Sequence, residues 1–223
     1  MSTTPQPIDT LRITEIYRSV QGESTRAGLP CVFVRLARCN LRCRWCDTAY
    51  AFRGGEKMTV EAIVRRVAEH PAPMVEITGG EPLAQPACAD LAGALLDAGH
   101  TVLIETSGSL PINVLPLGVV KIMDLKCPDS GESGRNYWPN IAYLNPKEDE
   151  VKFVIASRAD YEWTRDVIRE HALETRCHAI LLSPVFGEVD PKDMVDWMLE
   201  DELPARFQLQ MHKFIWPPDQ KGV

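Results

Sequence analysis

Short apolar segments alternate with amphipathic segments along most of this chain, and this alternation limits the folds that it can adopt. Seven segments are rich in Val, Ile and Leu and have the length of buried strands: residues 30–37, 74–78, 101–105, 119–124, 150–156, 178–183 and 206–211. Helical patterns lie between several of them: from an N-cap at Thr59 to about residue 70, and over residues 86–98, 160–173 and 191–200. Alternation of strands and helices predicts an α/β fold with a parallel sheet and right-handed crossovers.

Two connections between the predicted strands lack a long helical pattern. Residues 106–118 and 125–149 contain Gly, Pro and Ser where a crossover helix would be expected. A closed barrel of eight strand–helix units usually takes about 250 residues, and this chain has 223. We therefore expect a modified, incomplete (β/α) barrel with a reduced number of outer helices. No repeat or linker divides the chain, so residues 1–223 are expected to form one domain, with residues 1–10 as a flexible leader.

Composition and charge exclude some classes of function. A net charge of -7 argues against a broad nucleic-acid surface, which needs a surplus of Lys and Arg. The first residues, MSTTPQPIDT, lack the apolar core of a signal peptide, and no apolar run approaches the roughly 20 residues that span a bilayer. We expect a cytoplasmic protein with neither a nucleic-acid nor a membrane partner. In a reducing compartment, an odd number of seven cysteines indicates metal binding or catalysis more than a disulfide framework.

Three of the cysteines lie close together in the segment CNLRCRWC, at Cys39, Cys43 and Cys46. This spacing also places them on one face of a helix, so a buried cysteine stripe is one interpretation, although the residues between them are mostly polar. The neighbouring arginines are expected to lower the thiol pKa values and to favour metal binding. Structural zinc needs four protein ligands, and the other cysteines are scattered. An iron–sulfur cluster ordinarily takes four thiolates, so three would leave one iron open, as a catalytic centre requires.

The chemically unusual residues lie at the carboxyl ends of predicted strands. The cysteine segment follows the first strand, TGGEP (residues 78–82) follows the second, and ETSG and DLK end or follow the next two. Parallel α/β folds place their sites at this edge of the sheet. The sequence therefore predicts one site at this edge, unless the pattern only reflects the polarity of loops.

The cysteine segment and TGGEP together resemble the two signatures of the radical S-adenosylmethionine (radical SAM) enzymes. The resemblance implies that Cys39, Cys43 and Cys46 bind a [4Fe–4S] cluster, whose fourth iron is chelated by S-adenosylmethionine (SAM). Further segments are similar to the 7-carboxy-7-deazaguanine synthase family from about residue 13 to the end of the chain: SVQGES, RLARCNLRCRWCDTAYAF, ITGGEP, IETSG, MDLKCPDSGE and QMHKFIWPP.

This resemblance implies a carbon–nitrogen lyase of queuosine and 7-deazapurine biosynthesis. Such an enzyme contracts 6-carboxy-5,6,7,8-tetrahydropterin to 7-carboxy-7-deazaguanine with loss of ammonia. A 5′-deoxyadenosyl radical abstracts a hydrogen atom from C6 of the pterin, and SAM is regenerated at the end. The resemblance further implies a flavodoxin-type or similar electron donor and a homodimer. Two alternatives are another small radical SAM enzyme, such as a glycyl-radical activase, and a non-catalytic zinc or iron–sulfur module; SVQGES and CDT favour the synthase.

The resemblance also assigns roles to single residues, although it assigns no side chain a certain catalytic role, since SAM carries the radical. Thr48 is expected to contact Mg²⁺, with the pterin carboxylate completing the shell; a hydroxyl that caps its own turn is the alternative. Arg35 is expected either to bind the substrate carboxylate or to form a salt bridge. The expected substrate contacts are Val20, Gln21, Gly22, Arg35, Thr78 and His212. The expected SAM contacts are Trp45, Asp47, Gly80, Glu105, Ser107, Lys126 and Ser183.

Overall fold

The computed structural model describes residues 10–217 and 220–223. The leader expected over residues 1–10 lies outside these residues, except for Thr10, where the first strand begins. Among the described residues, no helix is both long and apolar enough to cross a lipid bilayer.

Nine strands of the described chain form one sheet. They are β1 (Thr10–Val20), β2 (Pro30–Leu36), β3 (Glu56–Thr59), β4 (Met74–Gly79), β5 (Thr101–Thr106), β6 (Val120–Asp124), β7 (Glu150–Ile155), β8 (Ala179–Pro184) and β9 (Arg206–Phe207). Their order is β3-β1-β2-β4-β5-β6-β7-β8-β9. In this order, every neighbouring pair of strands from β2 onward is parallel. β1 is antiparallel to both of its neighbours, β2 and β3. The expected parallel, incomplete barrel is confirmed, since β3 and β9 end the sheet on opposite sides.

Four of the five helices in the described chain lie where the amphipathic patterns predict them. They are α1 (Val60–Ala68), α2 (Cys88–Asp97), α3 (Arg158–Glu170) and α4 (Pro191–Glu200), and the short α5 (His212–Ile215) is not predicted from the sequence. Thr59 caps α1, because its hydroxyl accepts a hydrogen bond from the Ala62 N–H at 3.2 Å. Turns and short 3₁₀ segments connect β5 to β6 and β6 to β7. The prediction that these two connections lack a long helix is therefore confirmed.

The sequence does not predict β1 and β3, and it overextends β9. β1 buries only Leu11 and Ile13 fully against the helices, while charged and aromatic residues occupy the positions between and after them. Such a strand has no continuous apolar run, because Tyr17 and Val20 line the polar cavity while Ile16 packs against an apolar cluster. β9 has two residues in place of the predicted six, since only Arg206 and Phe207 pair with β8.

Side chains that face the inside of the barrel change from apolar to charged along each strand. An apolar group lies near the amino ends of β2, β4, β5 and β6, and consists of Cys31, Phe33, Met74, Leu103, Val120 and Ile122. Two residues further along, the same faces carry Glu76, Glu105 and Asp124, because side chains alternate with a period of two. The opposite faces pack against the helices in two larger apolar clusters. The charged interior therefore rests on an apolar base and opens at the carboxyl ends of the strands.

Candidate active site

A cavity of about 430 Å³ opens at the carboxyl ends of the parallel strands. It brings together sixteen of the seventeen predicted site residues: Val20, Gln21, Gly22, Arg35, Cys39, Cys43, Trp45, Cys46, Asp47, Thr48, Thr78, Gly80, Glu105, Ser107, Lys126 and His212. Ser183 is the exception. It is fully buried in β8, and its hydroxyl has no hydrogen-bond partner in the described part of the chain.

The three clustered cysteines lie in an irregular loop at the cavity wall, so the interpretation as a helical stripe is wrong. All three are free and half-buried. The Cys39 sulfur accepts a hydrogen bond from the Leu41 N–H at 3.4 Å, and the Cys46 sulfur lies 3.7 Å from the Thr48 hydroxyl. The loop thus presents three thiols and one hydroxyl to the cavity.

The prediction that neighbouring arginines lower the thiol pKa values is wrong for Cys39 and Cys43. Burial raises the pKa of Cys43 to about 11 and also raises the pKa of Cys39. The Arg42 guanidinium lies over the Phe52 ring at 4.2 Å, and Arg44 forms an ion pair with Glu188 at 2.7 Å. Both arginines have other partners, so they do not offset this effect of burial, and a bound metal would replace the protons of Cys39 and Cys43.

The TGGEP turn is joined to the cysteine loop by close backbone packing. A Cβ atom on Gly80 would lie 2.1 Å from the Arg38 carbonyl oxygen and 2.8 Å from Cys39 Cβ. The Glu81 N–H also donates to the Arg38 carbonyl oxygen at 2.9 Å. The glycine is therefore needed for the approach of this turn to the cysteine loop, in addition to any contact with a ligand.

Glu81 itself does not reach the cavity but connects β4 to the end of β5. Its carboxylate is fully buried and accepts hydrogen bonds from the Thr106 hydroxyl at 2.9 Å, the Ser107 N–H at 2.7 Å and the Ser107 hydroxyl at 2.6 Å. The Leu83 N–H donates to it at 3.0 Å. These bonds fix the position of Ser107 on the cavity wall.

Lys152 lies at the centre of the cavity floor, although it is not among the residues predicted from the sequence. Its side chain is 4% exposed and forms ion pairs with Glu23 at 2.5 Å, with Glu105, and with Asp124 at 3.8 Å. Burial opposes the charge of Lys152, but these carboxylates raise its pKa well above the usual value. The sequence does carry a signal for Lys152, because a lysine within the apolar run EVKFVI is costly to bury unpaired. Arg35 within the apolar run of β2 is the same kind of signal.

Glu76 is a second unpredicted residue of the cavity floor. It is 2% exposed, and the Gln21 side-chain amide donates a hydrogen bond to it. Burial, followed by the negative charge of Glu105, raises the pKa of Glu76 well above its usual value. The Gln21 oxygen accepts the Glu23 N–H at 3.1 Å. The floor therefore holds a carboxyl group whose burial favours the protonated form.

Arg35 lies on the cavity wall and forms a salt bridge with Glu15, which is the second of its two predicted roles. Its Nε donates to Glu15 at 2.7 Å, and its Nη2 donates to the Tyr17 hydroxyl at 2.9 Å. The Tyr50 hydroxyl donates to the same Glu15 oxygen at 2.7 Å. Tyr17 in turn stacks on Phe33 with 5.1 Å between the ring centroids. One cavity wall thus combines a fixed guanidinium with a flat aromatic pair.

The segment around α5 closes the cavity on the side of the β1–β2 connection. The Met211 N–H donates to the Gly22 carbonyl oxygen at 2.9 Å, and a Cβ atom on Gly22 would lie 2.7 Å from His212 Nδ1. Lys213 forms an ion pair with Asp47 at 3.3 Å. Burial lowers the pKa of His212, so the imidazole is neutral at pH 7.

Known proteins with similar sequences decide the family. Residues 34–125 match the Radical SAM superfamily. The 7-carboxy-7-deazaguanine synthase of Koribacter versatilis is 49% identical, over 96% of this chain and 100% of its own length. That of Chlorobaculum tepidum is 47% identical, over 96% of this chain and 97% of its own length. This chain belongs to the 7-carboxy-7-deazaguanine synthase family. The crystal structure of QueE from Escherichia coli shares its fold, with a TM-score of 0.71, 20% identity, and coverage of 91% of this chain and 95% of that one.

Membership of the 7-carboxy-7-deazaguanine synthase family, within the radical SAM superfamily, implies a [4Fe–4S] cluster and SAM, and the residues present fit the cluster. In residues 10–217 and 220–223, no group of three or more His, Cys, Asp or Glu side chains is placed to hold a single metal ion. A four-iron cluster makes a different demand, because each thiolate binds its own iron. The three free thiols on one loop at the cavity wall could bind three of the four irons. The fourth iron would then face the cavity, where a ligand can reach it.

Two predicted SAM contacts of this family member differ in their surroundings. Lys126 lines the cavity and donates to Asp124 at 2.8 Å, while Asp124 Oδ1 is buried and has no partner in the described residues. Ser183 pairs with Val154 in the register of β7 and β8, and Val154 lines the cavity where Ser183 does not. The role of Lys126 therefore has geometric support, and that of Ser183 stays a prediction.

Proposed function

We propose that this enzyme converts 6-carboxy-5,6,7,8-tetrahydropterin to 7-carboxy-7-deazaguanine and ammonia, as a step of queuosine and 7-deazapurine biosynthesis. One observation carries the proposal: a single cavity joins the three thiols to a wall of aromatic and cationic side chains. Its volume of about 430 Å³ lies within the range of small-molecule sites. The near full-length identity to named 7-carboxy-7-deazaguanine synthases supports the same reaction.

The wall around Arg35 suits the pterin substrate. The stacked Tyr17 and Phe33 rings offer a flat surface to the bicyclic ring, and the guanidinium, held on one side by Glu15, has Nη1 left to bind a carboxylate. Backbone groups of residues 20–22, the Thr78 hydroxyl and the neutral His212 imidazole supply donors and acceptors for the ring edge.

Thr48 is placed to take part in a Mg²⁺ site. Its half-buried hydroxyl faces the cavity beside the Cys46 sulfur. Mg²⁺ usually keeps several waters and takes further ligands from its substrate. The substrate carboxylate would therefore complete the shell between Thr48 and the pterin.

SAM would occupy the side of the cavity formed by the cysteine loop and the TGGEP turn. Bound to a cluster held by Cys39, Cys43 and Cys46, SAM would supply a 5′-deoxyadenosyl radical for hydrogen abstraction from C6 of the pterin and would be regenerated at the end. Trp45 and Asp47 on the loop and Gly80 on the turn line this side and would position SAM, with polar groups from the strand ends at Glu105, Ser107 and Lys126. Its own residues thus orient the two ligands and exclude competing reactions.

The assembly and partners form part of the same proposal. The proposal includes a cytoplasmic location and a homodimer; the exposed Phe186 and Phe214 rings, in edge contact at 5.7 Å, offer apolar surface for the dimer interface. An electron donor of the flavodoxin type would reach the cluster over the partly exposed cysteine loop.

Product formation tests the proposal. Protein reconstituted anaerobically is given SAM, a reductant and 6-carboxy-5,6,7,8-tetrahydropterin, with a Cys43→Ala variant as control, and the products are identified by mass spectrometry. We expect 7-carboxy-7-deazaguanine in excess of the SAM consumed, and none from the variant. Release of 5′-deoxyadenosine without 7-carboxy-7-deazaguanine would contradict the substrate and favour another radical SAM activity.

A further inference from the structure

The Lys152 ammonium joins three carboxylates that come from three different parts of the fold. Glu23 lies in the connection after β1, Glu105 near the end of β5 and Asp124 at the end of β6. Lys152 itself lies in the middle of β7 and is 4% exposed. A single buried cation therefore sets the distances between these elements at the cavity floor.

The two closest partners of Lys152 face different halves of the cavity. Glu23 directly follows the residues 20–22 that face the pterin side, and its other oxygen accepts a hydrogen bond from the Gln210 amide at 2.6 Å. Glu105 lies on the same strand end as Ser107, on the SAM side, and the hydroxyl of Thr78 from the substrate side approaches its Oε2 at 3.5 Å. Lys152 is thus the direct link between the substrate half and the cofactor half.

No other cation in the described residues forms an ion pair with Glu23 or Glu105. Lys126 contacts Asp124, and Arg35 contacts Glu15. Several carboxylates in one buried site repel one another, and removal of their cation leaves uncompensated charge that must be relieved by protonation or movement. Without Lys152, we expect Glu23 and Glu105 to move apart or to take up a proton, and the two halves of the site to lose their fixed spacing.

We infer that Lys152 is a positioning residue, which holds Glu23 and Glu105 against one ammonium and thereby fixes the pterin C6 relative to the 5′ carbon of SAM. This inference rests on the proposed function. Its consequence is coupling: a loss of Lys152 separates cleavage of SAM from formation of the product, because a displacement of about 1 Å can slow the hydrogen transfer by about 100-fold.

The test compares the full-length wild type with Lys152→Met, Lys152→Arg and Lys121→Met. Lys121 is a matched control, because its ammonium pairs with the buried Asp149 carboxylate at 2.9 Å but does not line the cavity. Three quantities are measured: the melting temperature, the dissociation constant for 6-carboxypterin in protein without a cluster, and the ratio of 5′-deoxyadenosine to 7-carboxy-7-deazaguanine in reconstituted enzyme.

For Lys152→Met we expect the ratio to rise by about tenfold or more and 6-carboxypterin to bind more weakly. Lys121→Met lowers the melting temperature and leaves the ratio and the binding as in the wild type. Lys152→Arg gives an intermediate ratio, because a guanidinium keeps the charge but not the geometry. A merely structural role would change the melting temperature alone.

A folded Lys152→Met enzyme with the wild-type ratio and wild-type binding would overturn the inference. Should this variant not fold, Glu23→Gln decides, since it removes the partner of Lys152 on the substrate side, and a wild-type ratio there also overturns it. A wild type that binds 6-carboxypterin but makes no 7-carboxy-7-deazaguanine contradicts the proposed function, while the binding data of Lys152→Met still decide on the positioning role.

Discussion

Replacement of Gly80 by alanine tests how closely the TGGEP turn must approach the cysteine loop. The added Cβ would lie 2.1 Å from the Arg38 carbonyl oxygen, 2.6 Å from the Arg38 carbonyl carbon and 2.8 Å from Cys39 Cβ, whereas ordinary contacts begin near 3.4 Å. All three atoms belong to the cysteine loop or its start, and two of them are backbone. The turn and the loop must therefore separate by about 1 Å, since a backbone carbonyl cannot rotate away as a side chain can.

The expected cost has two parts. Overpacking of this kind destabilises a protein by about 1–3 kcal/mol, which lowers the melting temperature by roughly 2–12 °C for a chain of this size. Displacement of Cys39 also lowers the iron content after reconstitution, and a shift of about 1 Å at the site reduces turnover by about 100-fold.

Differential scanning fluorimetry and iron and sulfide analysis measure these effects separately. Gly93→Ala is the matched control, because Gly93 lies in α2 and the nearest atom to its added Cβ is Pro116 Cγ at 3.8 Å. We expect this control to be neutral or more stable by up to about 1 kcal/mol. A Gly80→Ala protein with the wild-type melting temperature and a full complement of iron would refute the reasoning.

The remaining predictions concern buried polar groups. Glu81→Gln should cost about 2–4 kcal/mol in urea unfolding, because an amide donor would face the Ser107 N–H, which now donates to the carboxylate; a loss below about 0.5 kcal/mol would contradict this. Arg35→Lys should raise the KM for the pterin by about tenfold with a smaller change in kcat, because a lysine cannot hold Glu15 and a substrate carboxylate with one planar fork; an unchanged KM argues against the contact. Burial raises the folded-state pKa of Glu76, so the free energy of unfolding of the wild type falls as the pH rises from the unfolded pKa of about 4.5 toward the folded value. Glu76→Gln should remove this dependence, and identical pH–stability curves for the two proteins would contradict the prediction. Burial lowers the folded-state pKa of His212, so the unfolded chain binds the proton more readily and stability falls as the pH drops below about 6.5; His212→Asn should flatten this part of the curve, and an unchanged slope would contradict it.

The interior strands of the barrel are predictable from the sequence because both of their faces are buried. β2 and β7 read as continuous apolar runs, each interrupted by one cation, Arg35 or Lys152. β1 could not be found in this way, since its residues beyond Ile13 differ in their surroundings: Tyr17 lines the polar cavity, and Ile16 packs against an apolar cluster. The cysteine loop and the TGGEP turn are local signals, and the structure brings them into contact as the parallel strand order requires.

The charge network of the floor is less predictable, because it depends on partners that are distant in sequence. Lys152 meets Glu23 across 129 positions and Glu105 across 47. The same holds for Arg44, which lies between two cysteines in sequence but pairs with Glu188 in space, while burial raises the pKa of the neighbouring Cys43. A spacing rule identifies which groups occur near each other along the chain, and tertiary packing decides which of them interact.

Transfer of a labelled hydrogen tests the central claim most directly: that one cavity holds the pterin C6 beside the 5′ carbon of SAM. The reconstituted enzyme is incubated with substrate deuterated at C6, and the SAM and 5′-deoxyadenosine recovered after turnover are analysed by mass spectrometry. The account predicts deuterium in the recovered SAM, because the hydrogen moves to the 5′ carbon and SAM is regenerated. Formation of 7-carboxy-7-deazaguanine without deuterium in either compound would contradict it.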